Sequence, residues 1–340
     1  MTGVPTPLFP DAPAVPCPRC GTPPVAGDRF CEVCGADLYG EHGHPIAAST
    51  APCPGCGHPP PPDDDGWCPS CGLSRPGATD HMEIGVHGGA AISDRGHVRP
   101  HNEDAVALGR VGPDPADKAE RVAVAVCDGV SSTRSSELAA RAAADAALVV
   151  LLGGPVGERG IRCGVTAAAA AAAALVPRGT PEPPSCTLVC AVHDVPGGVL
   201  TVGWVGDSRA YWLADPGAAE PARLLSADHT ADAAAAAGTL DPAVAAIRPD
   251  AITRWLGADG DAEPEVVALT PGAPGALLLC TDGLWKYLPD AAALAAVALP
   301  ALSLGGAPAA AAALTAAALA AGGADNVTVA VLPVPLTEKP

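Results

Sequence analysis

The chain has few aromatic and few basic side chains. Phe, Trp and Tyr make up 3% of its 340 residues, and 19 Lys and Arg stand against 37 Asp and Glu. The net charge of −18 argues against binding to nucleic acids, because their phosphate backbone attracts basic surfaces. Hydrophobic residues make up 49% of the chain, but many are alanine, which buries little area. We therefore expect the core to rest on Val, Leu and Ile.

The sequence also lacks a secretory signal and a clear membrane span. Residues 1–16 have neither a basic start nor an uninterrupted apolar run, and we expect them to form a disordered Pro-rich tail. Residues 291–324 carry no charge, but Pro300, Pro308 and two Gly-Gly pairs interrupt them. This segment predicts two Ala-rich helices within a soluble domain. We expect a cytoplasmic protein without a membrane partner.

Cysteine is unevenly distributed along the chain. Eight of the 13 cysteines form four Cys-x-x-Cys pairs, and a glycine follows each pair. Two such pairs supply the four thiolates of a tetrahedral structural zinc site. Disulfides would need an oxidising compartment, and a redox centre needs fewer pairs. The spacing therefore predicts two zinc ribbons, at residues 17–35 and 53–72, with one zinc ion each. The predicted zinc ligands are Cys17, Cys20, Cys31 and Cys34 in the first ribbon, and Cys53, Cys56, Cys68 and Cys71 in the second.

The charge of this N-terminal part bears on its partner. Residues 1–80 contain three basic side chains and nine acidic ones. Zinc ribbons that bind nucleic acids carry a basic face, so docking to a protein partner, or regulation, is the better interpretation. Residues 73–81 are expected to link the ribbons to the rest of the chain, and their Pro and Gly content suits a linker.

Four short acidic motifs lie at the ends of apolar, strand-like runs. They are Arg99–Asp104, Asp128–Gly129, Asp282–Gly283 and Asp325–Asn326. Hard divalent cations need oxygen ligands that converge from several elements, and strand ends are rigid places to hold them. A single Asp-Gly is explained by a turn. The ordered set of four predicts a cation site.

From residue 82 onward, the chain contains strand-like runs and Ala-rich helical segments. The strand-like runs cluster instead of alternating strictly with helices, which predicts mainly antiparallel sheets and an α+β fold. Helices are expected at 135–152, at 160–176 and twice within 290–321. The strand-like runs are 84–92, 105–108, 122–127, 186–193, 199–205, 210–213, 265–269, 276–280 and 327–334.

Residues 82–334 resemble the metal-dependent serine/threonine protein phosphatases of the type 2C family. The matching segments, in the family's order, are SDRGHVRPHNEDAV (93–106), VAVCDGV (124–130), GWVGDSRAYWL (203–213), SADHT (226–230), ITRWLG (252–257), LLLCTDGLW (277–285) and DNVTVAVL (325–332). The resemblance implies a phosphatase domain at 82–334 and a tail at 335–340. It implies two packed antiparallel β-sheets flanked by helices on both faces. It also implies hydrolysis of phosphoserine and phosphothreonine in phosphorylated protein substrates.

The resemblance further implies a site for two Mn or Mg ions. Oxygen-only ligands select such hard cations rather than zinc. Asp128 corresponds to the central, catalytic ligand that bridges both ions, with the carbonyl of Gly129 nearby. Asp282 and Asp325 correspond to ligands of the first ion, and Asp104 to a ligand that faces the second.

Glu103 and Arg99 complete the expected site. Neighbours on a regular strand point to opposite faces, so Glu103 and Asp104 line one site only at a bulge or a strand end. The family uses both acids here, and Glu103 is kept as a ligand of the ions. Arg99 corresponds to the catalytic arginine that grips the substrate phosphate, and its planar guanidinium suits two phosphoryl oxygens. Neutralising the nearby acids is its alternative role.

The chain departs from the family at two positions. Val130–Ser132 follow the Asp128 motif, where eukaryotic members have a histidine that is proposed as general acid. Asp207 matches a residue that is associated with a third, weaker metal ion. The usual partner of Asp207, four residues beyond Asp282, is Lys286 here. A cation at that position argues against a third ion.

Three interpretations of the function stay open. The first is an active phosphatase whose ribbons target or regulate it. The second is a catalytically silent scaffold that binds protein partners through the ribbons, although all four principal acids are present. The third is a nucleic-acid-binding zinc ribbon with a phosphatase-like tail, which the acidic composition of residues 1–80 disfavours.

Overall fold

The computed structural model describes residues 41–42, 70, 80–112, 120–133, 135–177, 179–215, 217–218 and 220–334. All eight cysteines of the expected zinc ribbons lie outside these ranges, as do the expected tails at 1–16 and 335–340. The described fold therefore consists of residues 80–334 and one short strand before them.

Within the described ranges the chain forms 14 strands and six helices. The strands are β1 (Glu41–His42), β2 (His81–Val86), β3 (Gly89–Asp94), β4 (Ala105–Val111), β5 (Arg121–Cys127), β6 (Ser185–Cys186), β7 (Leu188–Asp194), β8 (Val199–Val205), β9 (Arg209–Leu213), β10 (Arg223–Leu224), β11 (Leu256–Gly257), β12 (Glu265–Leu269), β13 (Gly275–Cys280) and β14 (Val327–Val334). The helices are α1 (Ser136–Gly153), α2 (Gly157–Ala173), α3 (Ala231–Ala236), α4 (Pro242–Ala245), α5 (Asp282–Trp285) and α6 (Ala291–Ala320).

Two six-stranded antiparallel sheets form the centre of the molecule. The first has the order β1-β4-β5-β7-β8-β12, and the second has the order β10-β9-β13-β14-β3-β2. The short strands β6 and β11 pair with each other. The hairpin of β7 and β8 turns at Val195–Gly198, where the N–H of Gly198 donates to the carbonyl of Val195 at 3.2 Å. The predominance of antiparallel pairing agrees with the clustering of strand-like runs in the sequence.

Three layers of buried residues hold the sandwich together. Side chains of both sheets meet in the middle layer, where Val and Leu predominate as expected. Helix α6 covers the outer face of the second sheet, and α1 and α2 cover that of the first. This arrangement confirms the predicted sandwich of two antiparallel sheets with helices on both faces.

The layer beneath α1 and α2 differs from the expected composition. Eleven of its 23 buried residues are alanine. Small side chains allow the two helices to lie close to the sheet and to each other, so many small contacts replace a few large ones. The expectation that Val, Leu and Ile form the core is wrong for this layer.

Helix α6 is interrupted near its middle. Gly305 and Gly306 have non-helical backbone angles, so the segment consists of two helical parts, as the sequence predicted. By length and composition alone, α6 is one helix among the described residues that could cross a membrane. In the fold, its buried side, which includes Leu294, Ala298 and Leu314, packs against the second sheet.

Several element boundaries differ from the prediction. The run 84–92 is not one strand, because it divides into β2 and β3 around a turn at His87–Gly88. Gly88 has a φ of 92°, a left-handed conformation that glycine adopts without strain. Helix α2 begins at Gly157 rather than at residue 160.

Candidate active site

The four acidic motifs lie at strand ends, and the sheet topology brings these ends to one edge of the sandwich. In the first sheet, Asp104 precedes β4 and Asp128 follows β5, and these two strands pair antiparallel. In the second sheet, Asp282 follows β13 and Asp325 precedes β14, and these strands also pair antiparallel. Each sheet therefore contributes two acids to the same edge.

The carboxylates influence one another strongly. Burial raises the pKa of Asp128 well above its usual range, and the charges of Asp104, Asp282, Asp207 and Asp325 raise it further. Burial likewise raises the pKa of Asp104 to about 8, with added contributions from Asp282 and Asp325. The charges of acids from both sheets thus act on Asp104 and on Asp128. Such a cluster needs added positive charge to stay ionised at neutral pH.

Hydroxyl groups of the second sheet hold the carboxylate of Asp104. Its Oδ2 accepts hydrogen bonds from Oγ1 of Thr281 at 2.8 Å and from Oγ1 of Thr328 at 2.7 Å. The Oγ1 of Thr328 also lies 2.8 Å from Oγ of Ser93. Asp104 is 5% exposed, and its Oδ1 is buried without a hydrogen-bond partner among the described residues. One oxygen of a fixed carboxylate is thus left to accept another ligand.

The main chain at Asp128 is fixed by the residues before β7 and β9. Its N–H donates to Oγ1 of Thr187 at 3.1 Å, and its carbonyl accepts from the N–H of Thr187 at 2.8 Å. Oγ1 of Thr187 in turn lies 2.7 Å from Oγ of Ser208. A Cβ at the following residue, Gly129, would lie 2.6 Å from the carbonyl oxygen of Glu103. Only glycine fits there without moving the loop that carries Asp128.

Arg99 reaches the acidic cluster from the loop before β4. Its Nε lies 2.7 Å from Oδ1 of Asp325, and its Nη2 donates to Oδ2 of the same residue at 2.8 Å. Its Nη1 donates to Oγ of Ser131 at 2.9 Å. The hydrogen bond to Asp325 is the main cause of the raised pKa of Arg99. A guanidinium carries five N–H donors, so one donor remains on each terminal nitrogen.

Glu103 has different partners from those of Asp104. Its Oε1 accepts a hydrogen bond from Oγ of Ser136 in α1 at 2.7 Å, and its Oε2 lies 3.9 Å from Nη1 of Arg99. Both acids precede β4, so strand alternation does not fix their directions. The role of Glu103 as an ion ligand stays a prediction.

The donor set suits hard divalent cations. The side chains offer only oxygen, Oδ1 of Asp104 is a buried acceptor in need of a partner, and the cluster has excess negative charge. In their present positions, no three His, Cys, Asp or Glu side chains of the described residues form a ligand group. Asp325 and Asp282 are instead bound by Arg99 and Lys286. Because a carboxylate has about four lone-pair sites, ions can share these oxygens with the two cations.

Comparison with known proteins identifies the family. The family model described as protein phosphatase 2C matches residues 99–317, and a double zinc ribbon matches residues 17–72. The chain belongs to the protein phosphatase 2C family. The predictions of this family, of a metal-dependent serine/threonine protein phosphatase and of a double zinc ribbon are therefore confirmed. Among curated proteins, none matches the chain significantly.

Solved structures of mycobacterial phosphatases are similar to this chain. The PPM Ser-Thr phosphatase MsPP from Mycobacterium smegmatis, in complex with cacodylate, is 26% identical with a TM-score of 0.55, and the match covers 75% of this chain and 100% of MsPP. The serine/threonine phosphatase PstP/Ppp from Mycobacterium tuberculosis is 29% identical with a TM-score of 0.53, over 73% and 98% of the two chains. The catalytic domain of PstP in complex with 2 manganese ions is 30% identical with a TM-score of 0.55, over 73% and 98%.

Asp207 lies in the connection that crosses from β8 in the first sheet to β9 in the second. It is 9% exposed. Burial raises its pKa to about 7, the charges of Asp282 and Asp228 add to this, and the charge of Lys286 opposes it. Lys286 itself donates from Nζ to Oδ2 of Asp282 at 2.5 Å. The charge of a lysine, as well as those of two acids, therefore acts on Asp207 of this phosphatase.

Polar residues that are not proposed ion ligands hold the acids in place, and the Asp325–Asn326 motif already indicated one of them, Asn326. Oδ1 of Asn326 accepts from the N–H of Glu103 at 2.9 Å, and its Nδ2 donates to the carbonyls of Arg95 and His101 at 2.8 and 2.9 Å. Thr328 was not predicted. The available signal was a hydroxyl inside the otherwise apolar strand β14, on the face that enters the middle layer.

Proposed function

We propose that this phosphatase hydrolyses phosphoserine and phosphothreonine in proteins by direct attack of an activated water, without a phospho-enzyme intermediate. The observation that carries the proposal is the position of Asp104, Asp128, Asp282 and Asp325 at one edge of the sandwich, where the charges of the other three raise the pKa of Asp128. The similar catalytic domain of PstP was solved with 2 manganese ions, which supports a dinuclear Mn or Mg centre in this chain.

The acids divide into a shared ligand and two flanking groups. Asp128 responds to the charges of both sheets, which suits a carboxylate shared by two ions, and the carbonyl of Gly129 lies beside it. Asp282 and Asp325 would hold one ion, and the free Oδ1 of Asp104 would face the other. When bound, the ions supply an activated water and positive charge for the phosphoryl oxygens.

Arg99 is proposed to hold the substrate phosphate. Asp325 and Ser131 bind three of its N–H groups and so fix the plane of the guanidinium. The two remaining donors lie on the terminal nitrogens, and the side chain is 32% exposed. A pre-oriented fork can bind two phosphoryl oxygens at little cost in entropy. Neutralisation of Asp325 and phosphate binding are thus compatible roles.

The zinc ribbons are proposed to target or regulate the phosphatase. A double zinc ribbon matches residues 17–72, and eight cysteines of this segment can bind two zinc ions. The acidic composition of residues 1–80 favours a protein partner over a nucleic acid.

The decisive experiment is the Mn-dependent hydrolysis of phosphothreonine and phosphoserine peptides by the full chain. We expect turnover that requires Mn or Mg and that Asp128→Ala reduces to background. Asp145→Ala is the matched control, because this acid lies on α1 and pairs with Arg141 at 4.0 Å. It should keep the wild-type rate. Wild-type turnover no higher than that of Asp128→Ala would refute the proposal and favour the silent scaffold.

A further inference from the structure

A lysine lies against the acidic cluster on the side of α5. Lys286 follows α5 directly, and residues four apart on a helical turn share a face. Its Nζ donates to Oδ2 of Asp282 at 2.5 Å, so the ammonium is fixed beside one of the proposed ion ligands. The lysine side chain is 49% exposed, whereas that of Asp282 is 14% exposed. The ammonium therefore covers the carboxylate from the solvent side.

The same turn is bound to Asp207. The indole Nε1 of Trp285 donates to the main-chain carbonyl of Asp207 at 3.0 Å. The guanidinium of Arg209 lies 3.6 Å from the centre of the Trp285 ring. These contacts hold α5 and the β8–β9 connection in one assembly. The position of Lys286 relative to Asp207 is thus set by the fold and not only by one ion pair.

The charge of Lys286 acts on Asp207. Asp207 is nine-tenths buried, the acids Asp282 and Asp228 raise its pKa further, and the ammonium of Lys286 opposes them. Arg209, the nearest residue of opposite charge along the chain, is occupied by Asp228, with Nη2 and Oδ2 2.7 Å apart. The ammonium of Lys286 therefore balances negative charge of the carboxylates of Asp207 and Asp282.

We propose that Lys286 is a built-in cation that takes the place of a divalent ion between Asp207 and Asp282. The inference rests on the proposed function, because it assigns two ions to Asp104, Asp128, Asp282 and Asp325 and none to Asp207. A third divalent ion between Asp207 and Asp282 would meet both the ammonium on Asp282 and the ion that Asp282 is proposed to hold, and like charges at short range repel strongly. Because the ammonium of Lys286 is part of the chain, the charge of Asp207 is balanced without a third ion from solution.

The test counts Mn ions bound to the full chain with its cysteine sites saturated with zinc. The electron paramagnetic resonance signal of free Mn reports the number bound, independently of activity. We expect two ions in the wild type and a third in Lys286→Asp, with an affinity for the third site at least about tenfold above that of the wild type, because the change removes a repelling ammonium and adds an oxygen ligand. The double variant Lys286→Asp/Asp207→Asn should return to two ions.

Two further variants keep the test decisive. Arg162→Asp makes the same change of net charge on α2, where Arg162 pairs with Glu158 and Glu263, and it should bind two ions. Lys286→Gln removes the ammonium without adding a carboxylate, and it should also bind a third ion, more weakly than Lys286→Asp does. It serves as the test if Lys286→Asp does not fold.

The outcomes separate this inference from the proposed function. A wild type that binds three ions, one of them lost in Asp207→Asn, would overturn the role of Lys286 and leave the dinuclear centre intact. The role of Lys286 would also be overturned, with the dinuclear centre intact, if the wild type and the folded variants Lys286→Asp and Lys286→Gln all bind two ions. A wild type that binds no Mn would refute the dinuclear centre itself, and the inference would fall with it.

Discussion

The two oxygens of the Asp104 carboxylate have unequal surroundings. Oδ2 accepts from Thr281 and Thr328, whereas Oδ1 has no hydrogen-bond partner among the described residues. The hydroxyl donors stabilise the ionised form against the burial that raises the pKa of Asp104. They also set the direction of the free oxygen. Thr281 and Thr328 thus act on the ion site without facing an ion.

The role of Thr328 can be tested by removing its hydroxyl. Thr328→Val keeps the volume but leaves the buried carboxylate with one donor fewer. We expect a loss of about 1–3 kcal/mol in the free energy of unfolding. We also expect Mn affinity to fall by roughly tenfold or more, as for other residues that orient metal ligands. Denaturant unfolding and Mn titration measure the two effects.

Thr315→Val is the matched control for this prediction. Thr315 is equally buried, but its Oγ1 donates at 3.0 Å to the carbonyl of Ala311 in its own helix. This variant should leave the Mn affinity unchanged. An unchanged Mn affinity in Thr328→Val as well would contradict the orienting role.

At the scale of residues, the sequence identified the acids of the site better than the residues that form hydrogen bonds with them. The four acids could be found because carboxylates at the ends of apolar runs are unusual. Thr328 and Asp104 are 224 positions apart, and their contact depends on how the two sheets pack. Lys286 was recognised as a departure, but its bond to Asp282 needed the structure.

At the scale of elements, α5 lies close to the residues before β14. A Cβ at Gly283 would lie 1.9 Å from the carbonyl oxygen of Asn326. This approach sets the spacing of Asp282 and Asp325, which are the neighbours of the two contact residues. The missing side chain at Gly283 is therefore part of the geometry of the ion site.

Gly283→Ala should separate these two elements. The added methyl group meets main-chain atoms, which cannot turn away as a flexible side chain can. We expect a loss of about 1–3 kcal/mol in stability from overpacking, together with weaker Mn binding. Calorimetry and Mn titration of the full chain measure both.

Gly85→Ala provides the comparison, since a Cβ there has no atom within 4 Å. It should be neutral or stabilising by up to about 1 kcal/mol, because glycine weakens a strand interior. Gly283→Ala with wild-type Mn affinity would show that the spacing of α5 and β14 does not control the site.

Helices and strands were predicted well where the local sequence itself marks the boundaries of the element. The interruption of α6 at Gly305–Gly306 was foreseen from the Gly-Gly pair. The turn at His87–Gly88 was missed because apolar residues continue on both sides of it, and only the pairing of β2 with β3 reveals the reversal. Tertiary pairing, which local sequence does not contain, decided this boundary.

At the scale of the whole molecule, the chain carries two kinds of potential metal ligand. Thiolates near the N-terminus suit zinc, and carboxylates between residues 104 and 325 suit Mn or Mg. Because no ligand set mixes the two donor types, the two metal loads should be separable. We expect Cys17→Ser/Cys53→Ser to lose zinc while retaining Mn-dependent hydrolysis of a small aryl phosphate.

Elemental analysis and activity on the same sample measure this separation. Cys163→Ser is the control, because Cys163 lies on α2 outside the four Cys-x-x-Cys pairs, and it should keep both metals. Loss of hydrolysis together with zinc would show that the ribbons are needed for catalysis itself, and would contradict a purely targeting role.

Because each sheet supplies two of the four principal acids, bound ions would fasten one sheet to the other at this edge. Any unfolding motion that slides the sheets apart would have to expel the ions. The free energy of unfolding would then rise with ion concentration, by about 2.7 kcal/mol for each ion site at a free ion concentration a hundredfold above the dissociation constant. In a cell short of manganese or magnesium, the protein would unfold and be degraded more readily, in addition to losing its catalytic activity.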